Sequence, residues 1–135
     1  MANPILQKLK VEENWKFIPA FDDRYMVSDL GRIMAVGRGM GRTAGKILKP
    51  WGLGNQFGYP TVYLCKNNRR YAYRVHKIVA TLFVPNPRKY PNINHLNFNK
   101  DDSRAVNLKW CTQKENIRHS FAGGRYKERD ARRKK

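Results

Sequence analysis

Asn94-His95-Leu96-Asn97-Phe98-Asn99-Lys100, followed by Asn107-Leu108-Lys109-Trp110 and Thr112-Gln113-Lys114-Glu115-Asn116, decides how this chain is read. It sets one histidine beside a side-chain oxygen, then brings back two more asparagines at a spacing that can converge on one cation. The pattern around these residues predicts the local fold. From Pro91 the chain is extended as far as Asn94-His95, and a polar loop of about eleven residues follows. Leu108-Lys109-Trp110-Cys111 reads as a short strand, with Trp110 in the core. Thr112, with Glu115 three positions later, is a capping box that starts a helix over 113–121, closed by Gly123-Gly124. The motif is strand, loop, strand, helix.

Upstream, Val75, Ile78, Val79, Leu82 and Phe83 recur at helical spacing, and Pro85 and Pro87 end the stripe. His76 falls beside that stripe, either hydrogen-bonded at the helix start or placed for a contact with DNA. Before the helix, Tyr59 to Cys65 and Arg70 to Val75 alternate around a turn at Lys66-Asn67-Asn68-Arg69, a β-hairpin. Tyr71, Tyr73 and Val75 are expected to build the core from one face, with Arg70 and Arg74 on the other. Residues 12–36 read as a small β unit. Tyr25-Met26-Val27-Ser28 and Arg32-Ile33-Met34-Ala35-Val36 are its strands, joined by a turn at Asp29-Leu30-Gly31. Residues 37–46 read as a flexible basic loop. Its glycines fail the phosphate-loop spacing, because Met40 and Ile47 stand where Gly and Ser or Thr are needed.

Composition narrows the function. The chain has 135 residues, 28 Lys and Arg against 10 Asp and Glu, and a formal charge of +18. A folded domain so basic repels itself unless it meets a polyanion, which points to nucleic acid. The sixteen aromatics (3 Trp, 7 Tyr, 6 Phe) argue against a disordered basic protein. No apolar run approaches the roughly 18 residues of a membrane span, and the first ten residues lack a signal peptide's apolar stretch. The expected partner is a nucleic acid, with no membrane and no small-molecule cofactor, and the expected setting is cytoplasmic. Cys65 and Cys111, without CxxC partners, read as two buried thiols.

Hydrolysis of a phosphodiester needs a base for water and a cation for the charge that develops on the phosphate and the departing oxygen. Histidine suits the first task, because its ordinary pKa of about 6.5 leaves it largely neutral at pH 7. The surrounding positive charge should hold it so. Asn94 and Asn116 offer carbonyl oxygens to a hard cation. Because adjacent strand residues face opposite ways, Asn94 and His95 can share a site only where the strand bends into its loop.

The run from Val75-His76-Lys77-Ile78-Val79-Ala80 through Phe83-Val84-Pro85-Asn86-Pro87, Asn94-His95, Asn107-Leu108-Lys109-Trp110 and Thr112 to Asn116 resembles the phage HNH homing endonucleases. Trp15-Lys16-Phe17-Ile18-Pro19, Tyr25 to Ser28 and Gly31-Arg32-Ile33 are similar to the nuclease-associated modular motif that precedes many such catalytic domains. Together the matches cover roughly residues 12–118. The resemblance implies an α+β chain, with a small N-terminal β module, hairpin and helix followed by a ββα-metal (HNH, His-Me finger) nuclease motif. It divides the chain into a DNA-binding module at 12–74, the nuclease motif with its preceding helix at 75–121, and a basic arm at 122–135.

It also implies a monomeric, metal-dependent endonuclease of double-stranded DNA, possibly a nickase, leaving 5′-phosphate and 3′-hydroxyl ends, and working in the host bacterial cytoplasm if the gene is phage-encoded. His95 would activate water, and Asn107 would brace the loop that orients it. Asn94 and Asn116 would bind Mg²⁺, with Mn²⁺ able to substitute. Arg38, Arg42, Lys46, Lys49, Lys66, Arg69, Arg70, Arg74, Arg118 and Arg125 would contact DNA. The chain departs from the family pattern at Asn97-Phe98-Asn99-Lys100, where Asp-Gly-Asn-Lys is common, and at Asp102-Ser103, where Asn-Asn is usual. Its metal pair is neutral, so metal binding is expected to lean on the DNA phosphate. The alternative is a non-catalytic basic nucleic-acid-binding protein, which the composition fits equally well.

Overall fold

The structure, a computed structural model, describes residues 12–37, 45–54 and 58–122. Arg38, Arg42, Arg125 and the 122–135 arm beyond residue 122 lie outside them. The N-terminal part is a four-stranded antiparallel sheet, β1 (Trp15–Phe17), β2 (Tyr25–Ser28), β3 (Ile33–Ala35) and β4 (Lys46–Leu48), in that spatial order. Its register follows from the alternation of apolar residues. Tyr25 opposes Ala35 and Val27 opposes Ile33, so the buried side chains of both strands share one face. β4 corrects the expectation of a basic loop through residue 46. Leu48, 9% exposed, pairs with Ile33 and adds to the same apolar face, which draws Lys46 into the sheet edge.

β5 (Thr61–Lys66) and β6 (Arg69–Arg74) form the hairpin. Asn67 and Asn68 both adopt left-handed backbone (φ 51° and 60°), as a two-residue turn matched to strand twist requires. A second expectation fails here. Every residue of β6 is exposed, Tyr71 and Tyr73 at 41% and 39%, and the hairpin's core residues are Val62 and Leu64 of β5. Tyr71 and Tyr73 oppose Leu64 and Val62 and so share the hairpin's apolar face, but the core closes over β5 and leaves β6 at its exposed margin. Tyr73 reaches the interior only edge-on, its ring 5.7 Å from that of Phe21.

α1 (Val75–Phe83) starts directly after β6 and buries Val75, Ile78, Val79 and Ala80. β7 (Asn92–His95) pairs antiparallel with β8 (Leu108–Cys111), with a short 3₁₀ turn at Ala105–Asn107 leading into β8. α2 (Gln113–Ala122) follows, and its capping box is present. Glu115 N donates to Thr112 Oγ1 at 3.1 Å, and Thr112 N to Glu115 Oε1 at 3.5 Å. Trp110 packs against the core, and its Nε1 donates to the Val84 carbonyl at 3.0 Å. Both cysteines are free thiols; Cys111 is buried as expected, whereas Cys65 is only half-buried.

One apolar core runs from Ile18 to Leu108, across the junction between residues 74 and 75. Polar contacts reinforce it. Lys16 Nζ donates to the Leu82 carbonyl (2.7 Å), Cys65 N to Tyr25 Oη (2.9 Å), and Ala105 N to the Asp29 carbonyl (2.8 Å). The β2–β3 turn fits against the loop after β7 through Gly31, at φ 85°. A Cβ there would stand 3.1 Å from the Ser103 backbone, a tight approach that, with the positive φ, favours glycine. The N-terminal module therefore helps to shape the loop that carries the asparagine cluster.

Candidate active site

His95 is the last residue of β7, paired with Leu108, and the chain turns at Leu96. Asn94 and His95 thus stand at the strand's end, where their sharing of a site requires them to be. Both are buried. The His95 carbonyl accepts two hydrogen bonds, from Phe98 N (3.0 Å) and from His119 Nε2 (2.8 Å). The first closes a tight turn, and the second ties α2 to the strand that bears His95.

Asn107 grips the loop. Its Oδ1 accepts from Asn97 N (3.0 Å), and its Nδ2 donates to Asn97 Oδ1 (3.0 Å) and to the Asp102 carbonyl (2.9 Å). Its own carbonyl accepts from Leu96 N at 2.8 Å. Asn97 and Asn99 act as turn formers, accepting from the N–H groups of Asn99 and Asp101 respectively. Arg104 and Asn97 both donate to the Asp102 carboxylate. These bonds, Arg104's foremost, hold its pKa down to about 2 and keep the loop's one salt bridge charged.

Three features escaped sequence reasoning. His76, expected beside the apolar stripe, is only 7% exposed. Its ring lies 5.0 Å from that of His95 and 4.7 Å from that of Tyr59. Burial first, then the charges of His95, Arg74 and Lys77, hold its pKa down to about 3. Tyr59 is the second: it stacks on His95 at 5.8 Å, with Arg74 and Lys100 5.0 and 5.5 Å from its centroid. The third is the pairing of Phe98 with His119, whose rings stack at 4.2 Å and 11°. Phe98 has φ 64°, a left-handed conformation that bulky side chains resist. This accounts for the glycine common at that position in the family pattern. Here the ring's stacking offsets the backbone strain.

Asn94 Oδ1 is buried and meets no hydrogen-bond partner among the described residues, which suits an oxygen held for a cation. Asn116 lies in α2, three residues before His119 and so on the same side of that helix, half-buried. Among the described residues, no three His, Cys, Asp or Glu cluster as a metal site, so a cation here would depend on amide oxygens.

Of the basic residues expected to contact DNA, Lys46 and Lys49 lie in and just after β4, and Lys66, Arg69, Arg70 and Arg74 on the hairpin. Arg118 is exposed on α2. None of these forms an ion pair among the described residues. Lys66 and Arg69 oppose each other across the hairpin, an unfavourable pairing of like charges that a polyanion relieves. Arg70 lies 4.5 Å from the Tyr63 ring centroid, on the same face as Arg74.

Residues 13–65 match the NUMOD4 motif. Over 82% of this chain, two uncharacterized HNH endonucleases of Acanthamoeba polyphaga mimivirus are 34% and 36% identical. The DNA endonuclease I-HmuI of Bacillus phage SP01 is 29% identical over the same share. The solved structure of I-HmuI, an HNH homing endonuclease studied for DNA binding and cleavage, superposes with a TM-score of 0.69. This chain is therefore a NUMOD4-containing, α+β homologue of HNH endonucleases. It spans 30% and 27% of the two viral relatives and 59% of I-HmuI. No helix among the described residues is long and apolar enough to cross a membrane.

The geometry yields two predictions. Phe98→Gly relieves the backbone strain that Phe98→Ala retains, and both lose the stack on His119. Urea denaturation should find the glycine variant more stable than the alanine variant by about 0.5–1 kcal/mol. The second concerns pH. Between about pH 3 and 6.5 the unfolded chain protonates His76 more readily than the folded one. Its contribution to stability is complete above that window and falls as pH drops through it. Stability measured from pH 7.5 to 4 should decline less steeply in His76→Asn than in the wild type.

Proposed function

We propose that the chain is a metal-dependent DNA endonuclease of the HNH homing type, with His95 as its general base. The observation that carries this reading is the placement of His95. It sits at the end of a strand, its carbonyl is doubly bonded, and its loop is held by Asn107. The cations of the hairpin and of β4, which form no ion pair among the described residues, supply a surface for double-stranded DNA. The homology to I-HmuI supports the same substrate class.

In this mechanism the neutral imidazole of His95 accepts a proton from water, whose oxygen attacks phosphorus. The bond to the 3′ oxygen breaks, leaving a 5′-phosphate and a 3′-hydroxyl. Asn94 and Asn116 would hold the divalent ion through their amide oxygens. When bound, Mg²⁺, or Mn²⁺ in its place, supplies charge for the phosphate and the leaving oxygen. Two neutral ligands contribute no charge of their own, so the DNA phosphate strengthens metal binding. Asn107 acts through the loop, fixing the direction from which His95 meets the water. A monomer with one such site nicks one strand per encounter.

Relaxation of supercoiled plasmid with Mg²⁺ or Mn²⁺ tests the reading. His95→Ala should lose about 10²–10⁴-fold in rate while still binding DNA, and chelation should abolish nicking by the wild type. If wild type and His95→Ala relax the plasmid equally poorly, the protein is a binder rather than an enzyme.

A further inference from the structure

His76 has no part in the mechanism above, yet it is buried against His95. Its Nδ1 meets no hydrogen-bond partner among the described residues. Burying a polar nitrogen without a partner costs free energy, and a phenylalanine would fill the same space without that cost. The residue stands in the first turn of α1, whose N-terminus lacks a side-chain cap. No acidic residue lies in that turn. The Val75 N–H is taken by the Pro60 carbonyl at 2.9 Å. That leaves the N–H groups of His76 and Lys77, which have no acceptor within the helix. The charges that flank them, Arg74 and Lys77, are both positive. A helix start of this kind favours an anion, and the His76 ring lies 5.0 Å from that of the proposed base.

We propose that the N-terminus of α1 is a phosphodiester subsite. His76 Nδ1–H and the backbone N–H groups of His76 and Lys77 hold a non-bridging oxygen of the phosphate presented to His95. This rests on the reading of the chain as a DNA endonuclease and adds the element that positions the substrate phosphate. His76 is a binding residue in this scheme. It remains neutral because its ring is buried among cations, so one ring nitrogen keeps a hydrogen to donate. Arg74, over the Tyr59 ring, steers the same strand from the hairpin side.

Binding in chelator separates this proposal from cleavage. A series of short duplexes, each with one methylphosphonate that removes the charge of a single phosphate, is titrated against wild type, His76→Phe and His76→Asn. For the wild type, one position should weaken binding about tenfold; for His76→Phe, the same position should cost about twofold or less. His76→Asn, which places an amide donor near Nδ1, should restore the position-specific loss. Identical profiles for wild type and His76→Phe would overturn the proposal, as would a wild-type profile with no such position. Should His76→Phe fail to fold, the ¹⁵N shift of wild-type His76 Nδ1 on adding unmodified duplex decides. A shift supports the subsite, and an unmoved signal overturns it. A shift on adding inorganic phosphate but none with duplex would assign the site to free phosphate and overturn its assignment to DNA. A wild type that shows the expected profile but never cleaves would retain the subsite and sink the endonuclease reading instead.

Discussion

The hydrogen bonds of the Asn107 side chain are the constraint on which the site depends. His95 ends a two-stranded ribbon and is followed by a long irregular connection, so nothing in the strand itself fixes what comes next. Loop residues ordered without regular structure lose conformational freedom that local contacts must offset. Asn107 supplies three such contacts from one buried carboxamide, using its oxygen once and its nitrogen twice. Its carbonyl adds a fourth at Leu96. Asparagine is the residue this role requires, because it offers donor and acceptor on a side chain short enough to stay beneath the loop.

The same loop is clamped from two further directions. The β2–β3 turn abuts it through Gly31, and Asp29 accepts from Ala105, so the N-terminal sheet serves the site as well as the core. α2 is tied to the His95 carbonyl by His119, whose ring also supports Phe98 in its strained conformation. Three parts of the chain thus converge on one short turn. Charge is arranged differently. The cations of the hairpin and β4 form no ion pair among the described residues, while the rings beside His95 are aromatic and, at His76, held neutral by burial. An imidazole proposed as a general base among so many positive charges is served by ring neighbours that add none.

Much of this was legible in the sequence, where periodicity and capping chemistry speak locally. The α1 stripe from Val75 to Phe83, the Thr112–Glu115 box, the Asn67-Asn68 turn and the β2–β3 pair follow from spacing and residue type. The bracing role of Asn107 came from the family resemblance rather than from spacing, and its hydrogen bonds suit that role. What was hidden depends on distant neighbours. β4 is three residues long in a glycine-rich run, and only Ile33 makes Leu48 an inward residue. Tyr71 and Tyr73 alternate like core residues but lie on the strand of the hairpin that the core leaves exposed, which only the tertiary packing reveals. His76 and Tyr59 join His95 across the fold, and no local pattern marks either. Phe98 did signal something, as a bulky residue in a place where relatives favour glycine, but its partner His119 lies a helix away.

The central claim is that Asn107 fixes the geometry of His95 rather than binding substrate. It is tested most directly by single-turnover cleavage with DNA fully bound, comparing wild type with Asn107→Ala. The account predicts a cleavage rate lower by about 10²-fold, in line with the cost of misplacing a catalytic group, at unchanged DNA affinity. An Asn107→Ala variant that is folded, binds DNA normally and cleaves at the wild-type rate would contradict it.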